Sequence, residues 1–416
     1  MDRRYSPPAD MGQQLHNLRA FLSVAEAKSI THASEHLFKA SSAIARSVME
    51  LERFVGAALF ERRPRGMLIN TYGEAVLMRA RRLNAEIEAA ADEFSGSSSK
   101  ASRPLRNAVV NLLFSGRKLQ FLIRLAELKS VSGVAAQMNM TQSGASMALS
   151  RIESMLGQSL FQRRMEGMVP TEATERMVMR GRRVLAELRH LNSDLSAIAG
   201  YLTGAVIIGA TPLGRTHYYP NAMAATISKH PGIMITSVEG AYDQLIGSLR
   251  SGEIDIVFGV LRPPHLSHGL LIEPLFTDQM TVLARAGHPL ARRPHLQMGE
   301  LLREKWVSPR PNAPGKPQVD ECFLRLGLEP PTPSVETGDL ATLRQLLSAS
   351  DMLAVTSAHQ FMYEIQSGLL VELPVNLAGA ALEVGLIVRD GALLSPAALA
   401  VVDAVRDQAR QRQGLH

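Results

Sequence analysis

A chain of 416 residues with 46% hydrophobic and 20% charged side chains has room for two to four soluble domains. Its net charge of +6 is uneven: residues 1–200 hold 28 Lys+Arg against 19 Asp+Glu, a net of +9, and residues 201–416 hold 17 against 20, a net of −3. One cysteine, Cys322, excludes an intrachain disulfide framework and fits a reducing compartment. With no apolar leader and no long apolar run, a cytoplasmic protein without membrane spans is expected. A basic front half is the electrostatic footprint of phosphate binding, although surplus arginine on solvated helix faces is also common.

Residues 1–14 are polar and Pro-containing, a loose tail. Leu18, Phe21, Leu22 and Ala25 give a helical period over 15–28, and further helices are expected over 31–37 and 41–54. Residues 59–63 and 67–69 flank Pro64-Arg65-Gly66, the pattern of a two-stranded wing. Arg62, Arg63 and Arg65 on that wing suit a phosphate or a narrow minor groove; pairing with nearby acids is the bland reading. A long helix over 72–94 leads into the Ser/Gly-rich stretch from Ser95, a flexible linker closed by Arg103-Pro104. A second small domain occupies about 105–170, and a second long helix about 171–198. The apolar stripe of that helix, from Val178 through Leu188 to Leu195, needs a partner helix. Arg180, Arg182 and Arg183 beside it read as a solvated face.

Within the second small domain, residues 140–153 carry the sharpest signal. Thr141 suits a helix N-cap, and Ala145, Leu149 and Ile152 follow as one apolar stripe. Gln142, Ser143, Ser146 and Arg151 take the other face, with side chains that reach base edges and phosphates. Val134 and Met138 mark a helix upstream, and Asn139-Met140 allow a turn. Helix, short turn, helix with a polar outer face is a helix-turn-helix DNA reader or an ordinary helical hairpin. What favours the reader is that the pattern occurs twice.

Shifted by 101 residues, the sequence lies on itself without a gap. Ala25, Glu26, Lys28 and Ser29 meet Ala126, Glu127, Lys129 and Ser130, and Ser42 and Glu52 meet Ser143 and Glu153. Gly56, Leu59, Phe60, Arg62, Arg63, Gly66 and Met67 meet Gly157, Leu160, Phe161, Arg163, Arg164, Gly167 and Met168. A fixed offset held this long argues for a duplicated domain.

Each copy resembles the winged helix-turn-helix of LysR-type transcriptional regulators, on TQSGASMALSRIESMLGQSLFQRR in copy two and KASSAIARSVMELERFVGAALFERRPRG in copy one. Copy one departs from the family pattern at Ala40, Ser41 and Ala45, where the family touches DNA, so sequence reading by copy one is in question. Copy two has Glu166 where copy one has Arg65. One such domain per chain is the family's norm. The resemblance implies DNA contacts at Thr141, Gln142, Ser143, Ser146, Arg151, Arg163 and Arg164, and in copy one at Ser41, Ser42, Arg46, Arg62, Arg63 and Arg65. It implies linker helices that form a dimer. The two long helices here pair either with each other or with their equivalents in a second chain. Expected partners are double-stranded promoter DNA, a small-molecule effector, a second copy of the chain in a homo-oligomer, and RNA polymerase. No cofactor, metal or catalytic residue is expected.

Beyond a hinge at 200–204 the period changes to short apolar strands alternating with helices, the mark of a parallel α/β sheet. Strands are expected over 206–208, 233–238, 254–260, 280–284, 306–308, 334–337, 352–355 and 382–388, with about 280–373 inserted as a second sub-domain. This half resembles the family's effector domain, which is like a periplasmic binding protein. ATPLGRTHYYP, LRSGEIDIVFGVLRPP and ARAGHPLA are most similar to the galactose-binding-protein regulator subgroup. Ligands of open α/β sheets bind at strand carboxyl ends, which points to Thr211, Pro212, Gly240, Ser308 and Thr356, with Arg215 as a possible clamp. Hydroxyls and helix N–H groups there favour a small anion such as a carboxylate, with capping the bland reading for each residue; the effector is expected to be a carboxylate or a sugar-related metabolite.

An enzyme with an accessory helical region is the competing function. No P-loop, nucleophile elbow, HExxH or dinucleotide fingerprint supports it, and His265, His268, His288 and His295 lack metal-ligand spacing. A solute-binding protein is the third, against which stand the missing leader and the basic front half.

Overall fold

The computed structural model describes residues 14–63, 66–96, 103–313, 315–377 and 381–413. The tail, Pro64-Arg65 of the first wing and residues 97–102 of the linker lie outside the described residues. The chain forms two compact units, Met1–Ala205 with Ser251–Glu253, and Val206–Arg250 with Ile254–His416.

The first unit opens with α1 (Gln14–Ala27), α2 (Ile30–Leu37), α3 (Ser41–Val55), the hairpin β1 (Phe60–Arg63) and β2 (Gly66–Ile69), and the 25-residue α4 (Thr71–Ser95). After α5 (Arg103–Leu113) the same order returns: α6 (Gly116–Leu128), α7 (Val131–Gln137), α8 (Gln142–Leu156), β3 (Phe161–Arg164), β4 (Gly167–Pro170) and α9 (Glu172–Ile198). Local rules repeat with the sequence. The side chains of Ser29 and Ser130 accept from His32 N and Gly133 N, capping α2 and α7. Gly56 and Gly157 end α3 and α8 in left-handed geometry. Glu52 accepts from Leu59 N at 2.8 Å and Glu153 from Leu160 N at 2.7 Å, tying each reader helix to its wing.

Helix α5 departs from the sequence expectation. Arg103-Pro104 do not close a linker; they form its first turn, where a missing proline N–H costs nothing. Val109, Val110, Leu112 and Leu113 are buried, and Arg106 pairs with Glu88 and Asp92 on α4, so α5 docks copy two onto the first long helix.

Helices α4 and α9 pack against each other, and one buried cluster joins Leu83 and Ile87 of α4, Val184, Leu188 and Leu191 of α9, and the cores of both copies. The pairing is antiparallel. Arg79 near the start of α4 meets Glu187 and Asp194, and Arg180 near the start of α9 meets Glu86 and Glu93. Every one of these contacts maps onto the other under the 101-residue offset, as do Arg82–Glu187 and Arg183–Glu86. The two copies are therefore related by a pseudo-two-fold axis through the helix pair. Arg180 and Arg183 are thus interface residues, not a solvated face.

The second unit holds β5 (Thr203–Ala210), α10 (Tyr218–Lys229), β6 (Gly232–Glu239), α11 (Tyr242–Ser251), β7 (Ile256–Val260) and the long β8 (Leu270–Arg285). Then follow α12 (Met298–Leu301), β9 (Val307–Ser308), α13 (Lys316–Leu324), β10 (Val335–Glu336), α14 (Leu340–Ala349), β11 (Ala354–Ser357), α15 (Met362–Gln366), β12 (Leu370–Leu373), β13 (Ala381–Arg389) and α16 (Pro396–Gln413). The sheet order is β11-β8-β13-β7-β5-β6, with β12 also on β8. Strands β5 and β7 are parallel, and β13 runs antiparallel to β7 and β8. The strand expected at 280–284 is only the second half of β8. Its first half pairs with β13, and Met280 to Arg285 pair with β11 and β12, so one strand serves both sub-domains. Pro274 hides the first half, since proline argues against a strand interior; a register shift at Val384/Gly385 absorbs it. Among the described residues no helix is long and apolar enough to cross a membrane, and no His/Cys/Asp/Glu group could hold a metal.

Candidate nucleic-acid interface and effector cavity

In copy two, Thr141 is extended at φ −75° and its Oγ1 accepts from Gly144 N at 3.0 Å, so α8 starts with a filled cap. Ala145, Leu149 and Ile152 are buried, which turns Gln142, Ser143, Ser146 and Arg151 outward, all exposed. Arg163 and Arg164 stand exposed on the wing, Arg164 donating to Gln162 at 3.0 Å. At the wing turn Gly167 adopts φ +110°, and a Cβ there would sit 2.3 Å from Lys129 O, so the hairpin can approach α6 only with glycine. Exposed Met165 and Glu166 form the wing turn; the methionine offers phosphate no charge and the glutamate repels it.

Copy one shares the backbone and not the chemistry. Ala40 precedes α3 without a side-chain cap. Ser41 is exposed with its Oγ donating to Ser34 Oγ at 3.0 Å, and Arg46 pairs with Glu50 at 3.0 Å. Ser42 is exposed. Arg62 and Arg63 lie on β1, with their side chains, like Arg65, outside what is described.

Beneath the readers lies the α4–α9 ion cluster. The Arg79 side chain is 3% exposed and holds Asp194 through Nε at 2.6 Å and Nη2 at 3.1 Å, and Glu187 through Nη1 at 2.7 Å. Burial lowers its pKa, and the bonds to the two acids outweigh this and raise it. The equivalent Arg180 is 19% exposed. Its bond to Glu93 holds that carboxyl below the usual carboxylate range.

In the second unit a cavity of about 120 Å³ opens at the carboxyl ends of β5, β7 and β11. Thr211, Pro212 and Thr356 line it together with Pro309, Asp339 and Gln360. Thr211 is 2% exposed and its amide donates to Phe258 O at 3.1 Å. Its Oγ1 does not cap the turn Pro212–Arg215; it accepts from Val260 N at 3.4 Å. Gly259 makes room, since a Cβ there would lie 1.9 Å from that oxygen. Thr356 Oγ1 donates to Gln360 Oε1 at 2.9 Å. Asp339 caps α14, accepting from Thr342 N at 2.8 Å. Among its described lining residues are neither Ser308 nor Gly240 nor any cation. Ser308 sits on β9, its carbonyl accepting from Thr337 N, and Gly240 follows β6 near Gln244. The Arg215 side chain is outside the described atoms.

Comparison with known families decides what this arrangement is. The description "LysR substrate binding domain" matches residues 199–410, and "Bacterial regulatory helix-turn-helix protein, lysR family" matches twice, at 15–74 and 117–175. The chain belongs to the LysR family. It is 41% identical over 392 residues to the HTH-type transcriptional regulator GalR of Pseudomonas putida, covering 94% of this chain and 96% of that one. An alignment of that extent takes in both reader copies. The HTH-type transcriptional regulator PcaQ of Agrobacterium fabrum is 27% identical over 294 residues, 70% of this chain and 94% of its own. The crystal structure of full-length CbnR with its target DNA superposes with a TM-score of 0.51 at 18% identity, covering 71% of this chain and 99% of CbnR; that likeness shows the fold. The PcaQ alignment thus takes in nearly all of that relative and 70% of this chain, in which the helix-turn-helix family matches twice.

This LysR-family chain is a DNA-binding transcriptional regulator with an effector-binding domain, and the enzyme reading finds no support. Reasoning from sequence missed the Arg79, Glu86, Glu187 and Asp194 network. The signal was present: arginine followed by acids seven and fourteen residues on, at the same places in both copies, marks one helix face. Cys322 is buried, its thiol donating to Gln318 O and pushed up in pKa by burial, the state of an inert core cysteine.

Proposed function

We propose that one chain presents its two readers to promoter DNA as a built-in pseudo-dimer, with copy two reading bases and copy one contributing backbone contacts. The pairing of α4 with α9 inside one chain carries this reading. A homodimer of identical readers favours a palindromic site. Two unlike readers held in one chain suit an asymmetric promoter element instead. Gln142, exposed at the start of α8, carries an amide able to pair bidentately with adenine, and Ser41 has no equivalent reach. The regulator works in the cytoplasm as a homo-oligomer and acts through RNA polymerase.

The effector enters the cavity at Thr211, Pro212, Thr356 and Gln360. A cavity of about 120 Å³ with an acid and no described cation on its wall favours a compact, neutral, hydroxyl-bearing metabolite over a free carboxylate. Thr211→Val is expected to remove the effector response of promoter binding and leave effector-free DNA affinity unchanged. Mobility shifts of full-length protein on its promoter, with and without metabolites of that class, test this. An unchanged response in the variant would move the site elsewhere.

A further inference from the structure

A second cavity, about 810 Å³, lies in the first unit between the two reader copies. Its walls come from the start of α1, the α2–α3 turn and the α5–α6 junction. His16 of copy one and its repeat equivalent Arg117 of copy two both line it, so the cavity exists only where the two copies meet.

The lining is cationic. Arg19, Lys39 and Arg117 face it, with His16 and His36 as further potential cations, and none of its described lining residues is acidic. Arg19 is held in place by donation to Asn111 at 2.6 Å and by stacking over the Phe114 ring at 4.9 Å. Lys39 Nζ sits 3.0 Å from His16 Nε2, two basic groups in contact. Two acids act on the lining from outside it, Glu50 on His16 and Glu88 on Arg19, and each is ion-paired to another arginine, Arg46 and Arg106. Burial, then Lys39 and Arg19, lower the His16 pKa; burial, then Arg19, lower that of Lys39. Crowded positive charge that these outlying acids offset only in part is relieved when an anion enters. The first turn of α6 adds to the wall with Ser115, Gly116 and Arg117, where no acidic residue competes and the Ser115 side chain makes no cap bond.

We infer that this cleft binds a small anion of the phosphate class, an organophosphate or polyphosphate, through Arg117, Arg19 and Lys39 with the amides at the start of α6. The site is separate from the effector cavity and would give the reader half a ligand of its own. A DNA phosphodiester offers the same chemistry, and the test separates the two sources.

Inorganic pyrophosphate is titrated calorimetrically into the full chain without DNA, at ionic strength held constant with chloride. The same is done for Arg117→Gln and Lys39→Gln, both at exposed positions. Binding of random-sequence duplex is measured in parallel. Saturable binding is expected, weakened at least tenfold in each variant, with melting in chloride unchanged. Absence of saturable binding, or equal affinity in both variants and the parent, would overturn the inference. So would loss of duplex binding in the variants without any pyrophosphate site, which assigns the cleft to DNA.

Discussion

Copy one and copy two have kept the residues that hold a winged domain together and parted at those proposed to meet DNA. Glu52 and Glu153 make the same bond to the wing, and Arg79 and Arg180 make the same cross-helix pairs. Their reader helices differ: one begins with a capping Thr141 and an exposed Gln142, the other with uncapped Ala40 and an exposed Ser41 whose hydroxyl is bonded to Ser34. The wing tips differ in charge, Glu166 against Arg65. Duplication inside one chain permits this. In a homodimer both readers change together, whereas a tandem copy can lose base reading while it still supports its neighbour.

The largest expected effect separates the two ion clusters. Arg79→Ala leaves Asp194 buried without its arginine and Glu187 with Arg82 alone, and should cost about 3–5 kcal/mol of stability in denaturant melts. Arg180→Ala, in the more open equivalent, should cost about 1 kcal/mol or less. Equal losses would mean that the copies are not unequally buried.

For DNA reading, Gln142→Ala should remove about 1–3 kcal/mol of discrimination at one base pair in a randomised-site selection. Ser41→Ala should stay within about 0.5 kcal/mol at every position. Matching profiles from the two variants would erase the division of labour.

A smaller effect concerns the caps. Thr141→Ala should lower stability by about 1 kcal/mol, and Ala40→Ser, at φ −62° and ψ 139°, should raise it by up to about 1 kcal/mol in thermal melts. No gain from Ala40→Ser would show that α3 has another means of satisfying its first turn.

The smallest is a pH effect. Glu93 has a folded pKa below its unfolded one, because Arg180 bonds the carboxylate. Its contribution is therefore present above the ordinary carboxylate range and lost as pH falls through the lowered value. Arg180→Ala should flatten that part of the acid unfolding curve; an unchanged curve would show the pair to be energetically silent.

Much of this was legible in the chain. Repeats at a fixed offset carry the two readers, and helical periodicity places Ala145, Leu149 and Ile152 inward, which by itself turns Gln142 and Ser146 outward. Two things were not. Helix α5 has no counterpart among the described residues of copy one, and Arg103-Pro104 beside a Ser/Gly run imitates a linker. The partner of the second long helix is a tertiary fact. The charge pattern repeats, so α4 is as complementary to another α4 as to α9, and salt bridges alone choose neither. The tether decides, by raising the effective concentration of the intrachain partner. At the effector cavity, strand ends point to Thr211 and Thr356, whereas Gln360 and Asp339 arrive from helical segments whose register the sequence does not reveal.

Helices α4 and α9 pair within one chain, and everything said of the two readers rests on that pairing. Its most direct test places cysteines at Leu83 and Leu188, both buried in the seam, in a Cys322→Ser background and oxidises the full-length protein. Intrachain pairing gives a crosslinked species at the mass of a single chain on non-reducing gels, undiminished by dilution. Crosslinks found only between chains, at twice that mass and falling with dilution, would contradict it.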